Sequence, residues 1–451
     1  MLRSSTAATG LVRAAITATA LLLTVSAFGA PGLAVAAPDT GSADSGSADT
    51  DRVDPNNYAA DCPDVMIVAV SGATDSTEDR NPLADENRQL WSNWVGNVTV
   101  PTGEANKDEP GTVGWMYVPY PSTYGLGLLQ PVPTYQDSMA AGVASTNRIL
   151  DENKVKCGDD TKYVLLGYSV GAEVVERVSR ELGHRDSNAL VTADDIAGVA
   201  LIGDPYRPAG TPSMGEPGPP GGGFMSSEPA DYGALDGKIT YACRPYDIAC
   251  DAPQEIAVLE LALGVLGQMH FTLLNPGQTV SDFANAVTNM AARSIVHIVT
   301  HEDWFVSDES FLDVLRKVAD RTYDPDGPDR NMQVSQEQIV EALNWAMGPG
   351  SEVVKAKLAQ EGPGFVEDNS DVFELVIKPY IFLGFIQHLF YWNNNPNDPW
   401  YWESEKVVDW ITALAHSEKD RKAAEASAVP VPEASAVPVP EASAVPVPAG
   451  K

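Results

Sequence analysis

Residues 163–171 read Tyr-Val-Leu-Leu-Gly-Tyr-Ser-Val-Gly, an apolar run that breaks at Gly167, presents Ser169 and resumes past Gly171 in the helical pattern AEVVERVSREL. A hydroxyl is a poor nucleophile until a base takes its proton, so a reactive serine must stand clear of the chain. A tight strand-to-helix turn with glycines on either side achieves that. A bare GxSxG arises by chance in many chains, where it is an ordinary turn. Here the strand before it and the helix after it supply the context of a nucleophile elbow.

The surrounding pattern fits one fold class. Val65–Val70 (VMIVAV) is a continuous apolar run, as expected of a strand covered on both faces. Further strands are expected at Val113–Val118, Tyr163–Leu166, Ile196–Ile202 and Ile239–Cys243, with helices between them, clearest at Gln136–Leu150 and Ala172–Leu182. Such alternation predicts an α/β fold, a central mostly parallel sheet flanked by helices on both faces. The elbow then falls at a strand's carboxyl end, where open α/β sheets place their sites. Pro205–Gly223, dense in Pro and Gly, is an irregular surface loop. Beyond Cys250 the chain turns helical, at Gln254–Leu266, Val280–Val296, Asp308–Arg321, Gln336–Met347, Ser351–Gln360, Val372–Trp392 and Glu403–Ala415. That is more helix than a plain sheet domain needs. Much of 252–385 is therefore expected as a helical cap or extension, functional or purely structural.

Arg3 and Arg13, the apolar run AAITATALLLTVSAFGA and the small residues Ala34, Ala36 and Ala37 have the layout of a secretory signal peptide cleaved after Ala36. Its removal takes two arginines and no acid, so the formal charge of −33 becomes −35. Such acidity disfavours nucleic acid and anionic lipid surfaces as partners. No later stretch reads as a membrane span; Val372–Trp392 carries Glu374, Lys378 and His388 and fits a buried or lipid-contacting helix better. From Glu425 to Pro448 the octapeptide EASAVPVP occurs three times, and its prolines predict an extended tail, either a cell-wall spacer or a neutral appendage. The expected organisation is a signal peptide (1–36), a disordered leader (37–57), an α/β core (58–251), a helical cap or insertion (252–385), a histidine loop with a closing helix (386–420) and the repeat tail (421–451). The mature protein is expected to be secreted or held in the cell envelope as a monomer.

Four cysteines in an exported chain predict two disulfides with three possible connectivities. Cys243 and Cys250 enclose a small loop, which leaves Cys62 and Cys157 to pair across the domain. Zinc is the alternative, but neither pair has the short CxxC spacing of structural sites.

Linked motifs resemble a known family. Cys62-Pro-Asp-Val with the following strand and Ser71-Gly-Ala-Thr-Asp looks like the first strand and oxyanion turn of cutinases. Cys157 followed by KYVLLGYSVGA looks like their second cysteine and nucleophile, and GALDGKITYACRPYDIACDAP like their acid loop. The chain thus resembles the cutinase family, particularly the exported cutinase-like esterases and phospholipases of mycolic-acid-containing actinobacteria, over roughly residues 60–255 and again near the C-terminus. The resemblance implies a cutinase-like α/β hydrolase, a Cys62–Cys157 disulfide and Asp247 as the triad acid inside the Cys243–Cys250 ring. A short ring suits an acid that must hold an imidazole in one tautomer. The rival acid is Asp204 in Gly-Asp-Pro-Tyr-Arg, where a turn has an ordinary structural explanation.

The triad order Ser, Asp, His of α/β hydrolases prunes the histidines. His184 and His416 are expected on the surface. His388, in His-Leu-Phe-Tyr391, looks like the family's His-Leu-x-Tyr segment, yet lies 141 residues past Asp247, so the helical region would be an insertion between them. His301 and His270 are the alternatives. The oxyanion hole is expected from the backbone amides of Ala73 and Val170. The family often has glutamine in place of Val170 and Arg-Gly-Thr in place of Ser71-Gly72-Ala73, changes that spare backbone donors but remove side-chain help. The aromatic cluster from Tyr391 to Trp410, with Tyr380–Ile386, reads as hydrophobic core more readily than as an acyl groove. The reading is a serine esterase acting on lipid-like or other ester substrates without metal or cofactor. An acyltransferase on the same site, or a non-catalytic envelope-binding protein on the same fold, is the alternative.

Overall fold

Five parallel strands run through the centre of the fold: β1 (Val65–Val70), β2 (Val113–Tyr117), β4 (Lys162–Tyr168), β5 (Ile196–Ile202) and β6 (Ile239–Ala242), in the spatial order β2-β1-β4-β5-β6. The computed structural model describes residues 53–85, 94–127, 132–226, 230–253, 256–272, 276–300, 307–319, 387–392 and 402–427, with single residues and short stretches between 304 and 370. The first strand is buried at all of its positions, because helices cover both faces of the sheet.

One face packs under α2 (Tyr135–Cys157) and α3 (Val170–Gly183), which meet Met66, Val68, Val70 and Leu165. The opposite face, with Ile67, Ala69, Val164 and Leu166, packs under α1 (Gly96–Ala105) and the C-terminal α7 (Glu403–Ser427), through Val98, Val407 and Ile411. A capping box starts α2, Thr134 accepting from the Asp137 amide while Asp137 reaches back to Thr134.

The strand order sets the position of the site. After β1 the chain moves outward to β2, then returns past β1 to β4 and continues to β5 and β6. The order reverses between β1 and β4, and a crevice opens at the carboxyl ends of strands that diverge in this way. Val70 lies opposite Gly167, and Tyr168 opposite Ile202. The segments after β1, β4 and β5 therefore emerge side by side.

Beyond the acid loop the described chain is helical, as α4 (Ala257–Leu266), α5 (Pro276–Thr300) and α6 (Phe311–Ala319), with Met290, Trp304, Val314 and Val318 in a small core of their own. A short parallel pair, β3 (Leu126–Gly127) with β7 (Phe271–Thr272), and a bond from Gln136 Nε2 to the Ala319 carbonyl (2.9 Å) tie this region to the sheet domain. The expected helix at Ser351–Gln360 is helical at every position described, 351–353, 355–357 and 359, whereas that at Gln336–Met347 lies mostly outside the described residues, as do 372–386, the signal segment, most of the leader and 428–451. Two helix limits differ from expectation. His388–Trp392 has left the helix that was expected to continue through it, and α7 runs to Ser427, three residues into the first repeat. Proline, absent from those three residues, enters only at Pro430. Among the described residues no helix is long and apolar enough to cross a membrane.

Both disulfides are formed, Cys62–Cys157 and Cys243–Cys250. No cysteine remains free, so none of the four is available to zinc.

Candidate active site

Ser169 occupies a backbone conformation that an L-residue rarely adopts, φ +59° and ψ −131°, at the junction of β4 and α3. Its neighbours explain how the chain turns there. A Cβ on Gly167 would lie 2.6 Å from the Ala172 Cα, and one on Gly171 would lie 2.4 Å from the carbonyl oxygens of Val70 and Ser71. Only glycine lets α3 start this close to β4 and β1. The Ser169 amide donates to the Ile202 carbonyl (2.9 Å), which fixes the turn against β5.

His388 Nε2 lies 2.8 Å from Ser169 Oγ, and its Nδ1 lies 2.9 Å and 3.1 Å from the two carboxylate oxygens of Asp247. Donor accounting fixes the tautomer. A carboxylate only accepts, so Nδ1 carries the hydrogen and Nε2 is left to accept from the serine hydroxyl. Asp247 is fully buried, and two more donors serve it: the Ala249 amide (2.9 Å) and the Tyr391 hydroxyl (2.5 Å). The acid loop is folded around that carboxylate. Amides of Cys250 and Asp251 donate to the Asp247 carbonyl, and the Asp251 side chain accepts from the Tyr246 amide, where the chain bends through φ +68°.

The imidazole is held by more than its two polar partners. Tyr168 stacks on it, with centroids 5.2 Å apart and planes 19° from parallel, and its hydroxyl donates to the His388 carbonyl (2.6 Å). Gly203 leaves the other space the ring needs, since a Cβ there would lie 2.7 Å from His388 Cε1. Burial, with the Asp247 charge next in importance, pushes the phenols of Tyr168 and Tyr391 far above their ordinary range, so both keep their protons.

The loop after β1 approaches the elbow closely enough that a Cβ on Gly72 would meet the Tyr168 ring and Ser169 Cβ at 3.1–3.2 Å. Arg80 anchors this loop, donating to Ser71 Oγ and to the Asp75 carbonyl (3.0 Å each), and Tyr120 donates to the Ser71 carbonyl. The Thr74 amide is used by Ser122, and that of Asp75 by Gly72. The amides of Ala73, in this loop, and Val170, at the first position of α3, have no protein acceptor among the described residues. Two unclaimed amides beside a serine hydroxyl suit an oxyanion.

Other candidates are placed elsewhere. Asp204 closes its own turn, accepting from the Tyr206 amide (3.0 Å), and is not the carboxylate at His388. His270 pairs with Asp282 (2.7 Å) in the helical region. His301 lies outside the described residues. His184 and His416 contact Arg180 and Asn106, both histidines being half-exposed. Tyr391 and Trp392 are buried in the sheet core rather than lining a groove. Sequence reasoning passed over Tyr168, Gly203, Arg80 and Arg244. Only Tyr168 carried a local signal, as the residue before the nucleophile.

Residues 88–269 match the family model described as Cutinase. The domain is a cutinase-like α/β hydrolase. As such it is a carboxylic ester hydrolase. The matched stretch holds Ser169 and Asp247 and ends at Met269, so His388 reaches the cutinase-like site from a segment beyond it. Among solved structures, the chain is similar to the catalytic core domain of acetyl xylan esterase from Trichoderma reesei, with 17% identity, 50% of this chain and 99% of that chain covered, and a TM-score of 0.30. It is also similar to a cutinase-like protein from Cryptococcus sp. (18% identity, 42% and 80% covered, TM-score 0.29). A third is Trichoderma reesei cutinase in complex with a phosphonate inhibitor (18% identity, 54% and 78% covered, TM-score 0.27). No curated protein matches the chain.

Proposed function

We propose that the protein is an exported serine esterase that cleaves ester bonds of lipid-like substrates through Ser169, His388 and Asp247. The observation that carries this reading is the unbroken line of contacts from Ser169 Oγ to His388 Nε2 (2.8 Å) and from His388 Nδ1 to Asp247 (2.9 Å). His388 takes the serine proton as Oγ attacks the acyl carbonyl, Asp247 holds the imidazole in the required tautomer, and the alcohol leaves with the proton. The amides of Ala73 and Val170 receive the negative oxygen of the tetrahedral intermediate. Water then repeats the sequence on the acyl-enzyme and releases the acid.

The lipid-like class rests on the resemblance to exported actinobacterial cutinase-like esterases and phospholipases. Export rests on the signal-like N-terminus together with two disulfides, which persist in oxidising compartments. The repeat tail then serves as a spacer in the envelope. An acceptor alcohol in place of water would make the same site an acyltransferase.

The test is turnover of short- and long-chain p-nitrophenyl esters by wild type and Ser169→Ala, with fluorophosphonate labelling and peptide mapping. Loss of about 10⁴-fold or more in kcat for the variant, and label on the GYSVG peptide alone, is the expected result. Equal turnover by both, or label elsewhere, removes the proposal.

A further inference from the structure

We propose that Tyr391 is a positioning residue for this reaction, a fourth member of the hydrogen-bond chain that limits how strongly Asp247 draws a proton onto His388. The inference rests on the serine-esterase reading above.

The geometry fixes the direction of the bond. The Tyr391 hydroxyl lies 2.5 Å from Asp247 Oδ2 and 3.2 Å from the Arg244 amide. An amide can only donate, so it occupies a lone pair of the phenol oxygen, and the phenol hydrogen goes to the carboxylate. Oδ2 is also the nearer partner of His388 Nδ1, at 2.9 Å. Tyrosine and histidine therefore donate to the same oxygen. The Tyr391 side chain is fully buried, and Arg244 holds its strand of chain from outside by donating to the Phe390 carbonyl and pairing with Glu403 (3.7 Å).

Two donors on one oxygen compete for its charge. A hydrogen bond from a neutral phenol spreads the negative charge of a carboxylate that accepts it. It also dilutes the charge felt by the imidazole, so the imidazolium that forms on proton transfer is less favoured than it would be beside a bare carboxylate. Removal of the phenol hydroxyl leaves the carboxylate more basic. The imidazole then holds its proton to higher pH and is a competent base only above it.

The experiment compares Tyr391→Phe with wild type in the full mature chain, following kcat/KM for a soluble p-nitrophenyl ester across pH 4–9. The acid limb is expected to move to higher pH by about half a unit to one unit. At the plateau kcat falls by about ten-fold with KM unchanged, because the bond also orients the carboxylate. Site-specific 3-fluorotyrosine at position 391 keeps the shape and strengthens the donor, and it must move the limb the opposite way. That second variant covers the case in which the phenylalanine protein fails to fold. An acid limb fixed at the wild-type position in the folded variants overturns the proposal and leaves Tyr391 as packing alone. A wild type without ester turnover defeats the underlying esterase reading instead, so the two failures are distinguishable.

Discussion

Asp204 follows Gly203, the residue that makes room for the His388 ring, yet its carboxyl spends only one oxygen, on the Tyr206 amide. The other, Oδ2, is buried without a partner among the described residues, and Glu176, also buried, adds negative charge nearby. Desolvation first, and Glu176 second, hold the Asp204 carboxyl protonated well above its ordinary range. The sign of the consequence follows from linkage. A carboxyl whose folded value is raised binds more protons folded than unfolded, so its contribution is full below about pH 4 and drains away as pH rises through the folded value. Asp204→Asn removes that titration while keeping an acceptor for Tyr206. The variant should gain on wild type in melting temperature as pH rises from 4 to 8, and the difference between the two curves isolates this residue. Parallel curves would show that Asp204 does not titrate as argued. Asp204 and Asp247 are both buried, and what separates them is their partners: Asp247 accepts from His388, Ala249 and Tyr391, whereas Asp204 Oδ2 accepts from none among the described residues, a difference set by side chains distant in sequence.

At the scale of elements, the strands were the legible part. The run Val65–Val70 and the span Ile196–Ile202 are strands with the expected limits, because continuous apolar residues leave a doubly covered strand as the natural outcome. Helix α1 was not legible. Its sequence GNVTVPTGEA has two glycines, four β-branched residues and an internal Pro101, all poor helix formers. Packing decides there instead: Gly103 lies against the Trp115 ring so closely that a Cβ would come within 2.5 Å of it. The two disulfide-linked elements make contrasting predictions. The Cys243–Cys250 ring carries Asp247, whereas Cys62–Cys157 joins the entry to β1 and the end of α2, at the opposite end of the strands from the site. Replacing both cysteines of the ring by serine should cost about 2–3 kcal/mol of stability. It should also depress kcat sharply, because the carboxylate loses its frame. Removing Cys62–Cys157 should cost more, about 4–5 kcal/mol by loop entropy, and leave kcat near wild type. Denaturant titration and steady-state kinetics on the two double variants check this, and equal losses of kcat would contradict it.

On the scale of the whole molecule, the site is assembled from segments 219 residues apart, Ser169 and His388, and no periodicity in the sequence measures such a distance. Ser169 and Asp247 were legible because each sits in a local motif, an elbow and a cysteine ring. The histidine has no motif of its own strength; its place depends on docking by Tyr168, Arg244 and Tyr391 and on the helix that follows it. That helix, α7, covers one face of the sheet with Val407, Val408 and Ile411 buried, and Trp410 lies against Gly198 of β5. Three such side chains contribute about 1.5–3 kcal/mol each, comparable in sum with the ~5–15 kcal/mol that keeps a domain folded. The Ser404 amide also donates to the Tyr391 carbonyl (3.1 Å), so the helix start fixes the histidine segment directly. A chain truncated after Trp402 should therefore lose both cooperative melting and ester turnover. Truncation after Ser427 keeps all of α7 and should melt and turn over ester like the full mature chain. Melting curves with p-nitrophenyl ester kinetics on both truncations supply the check. A folded, active protein ending at Trp402 would mean that the sheet closes without α7 and that His388 is held by the acid loop alone.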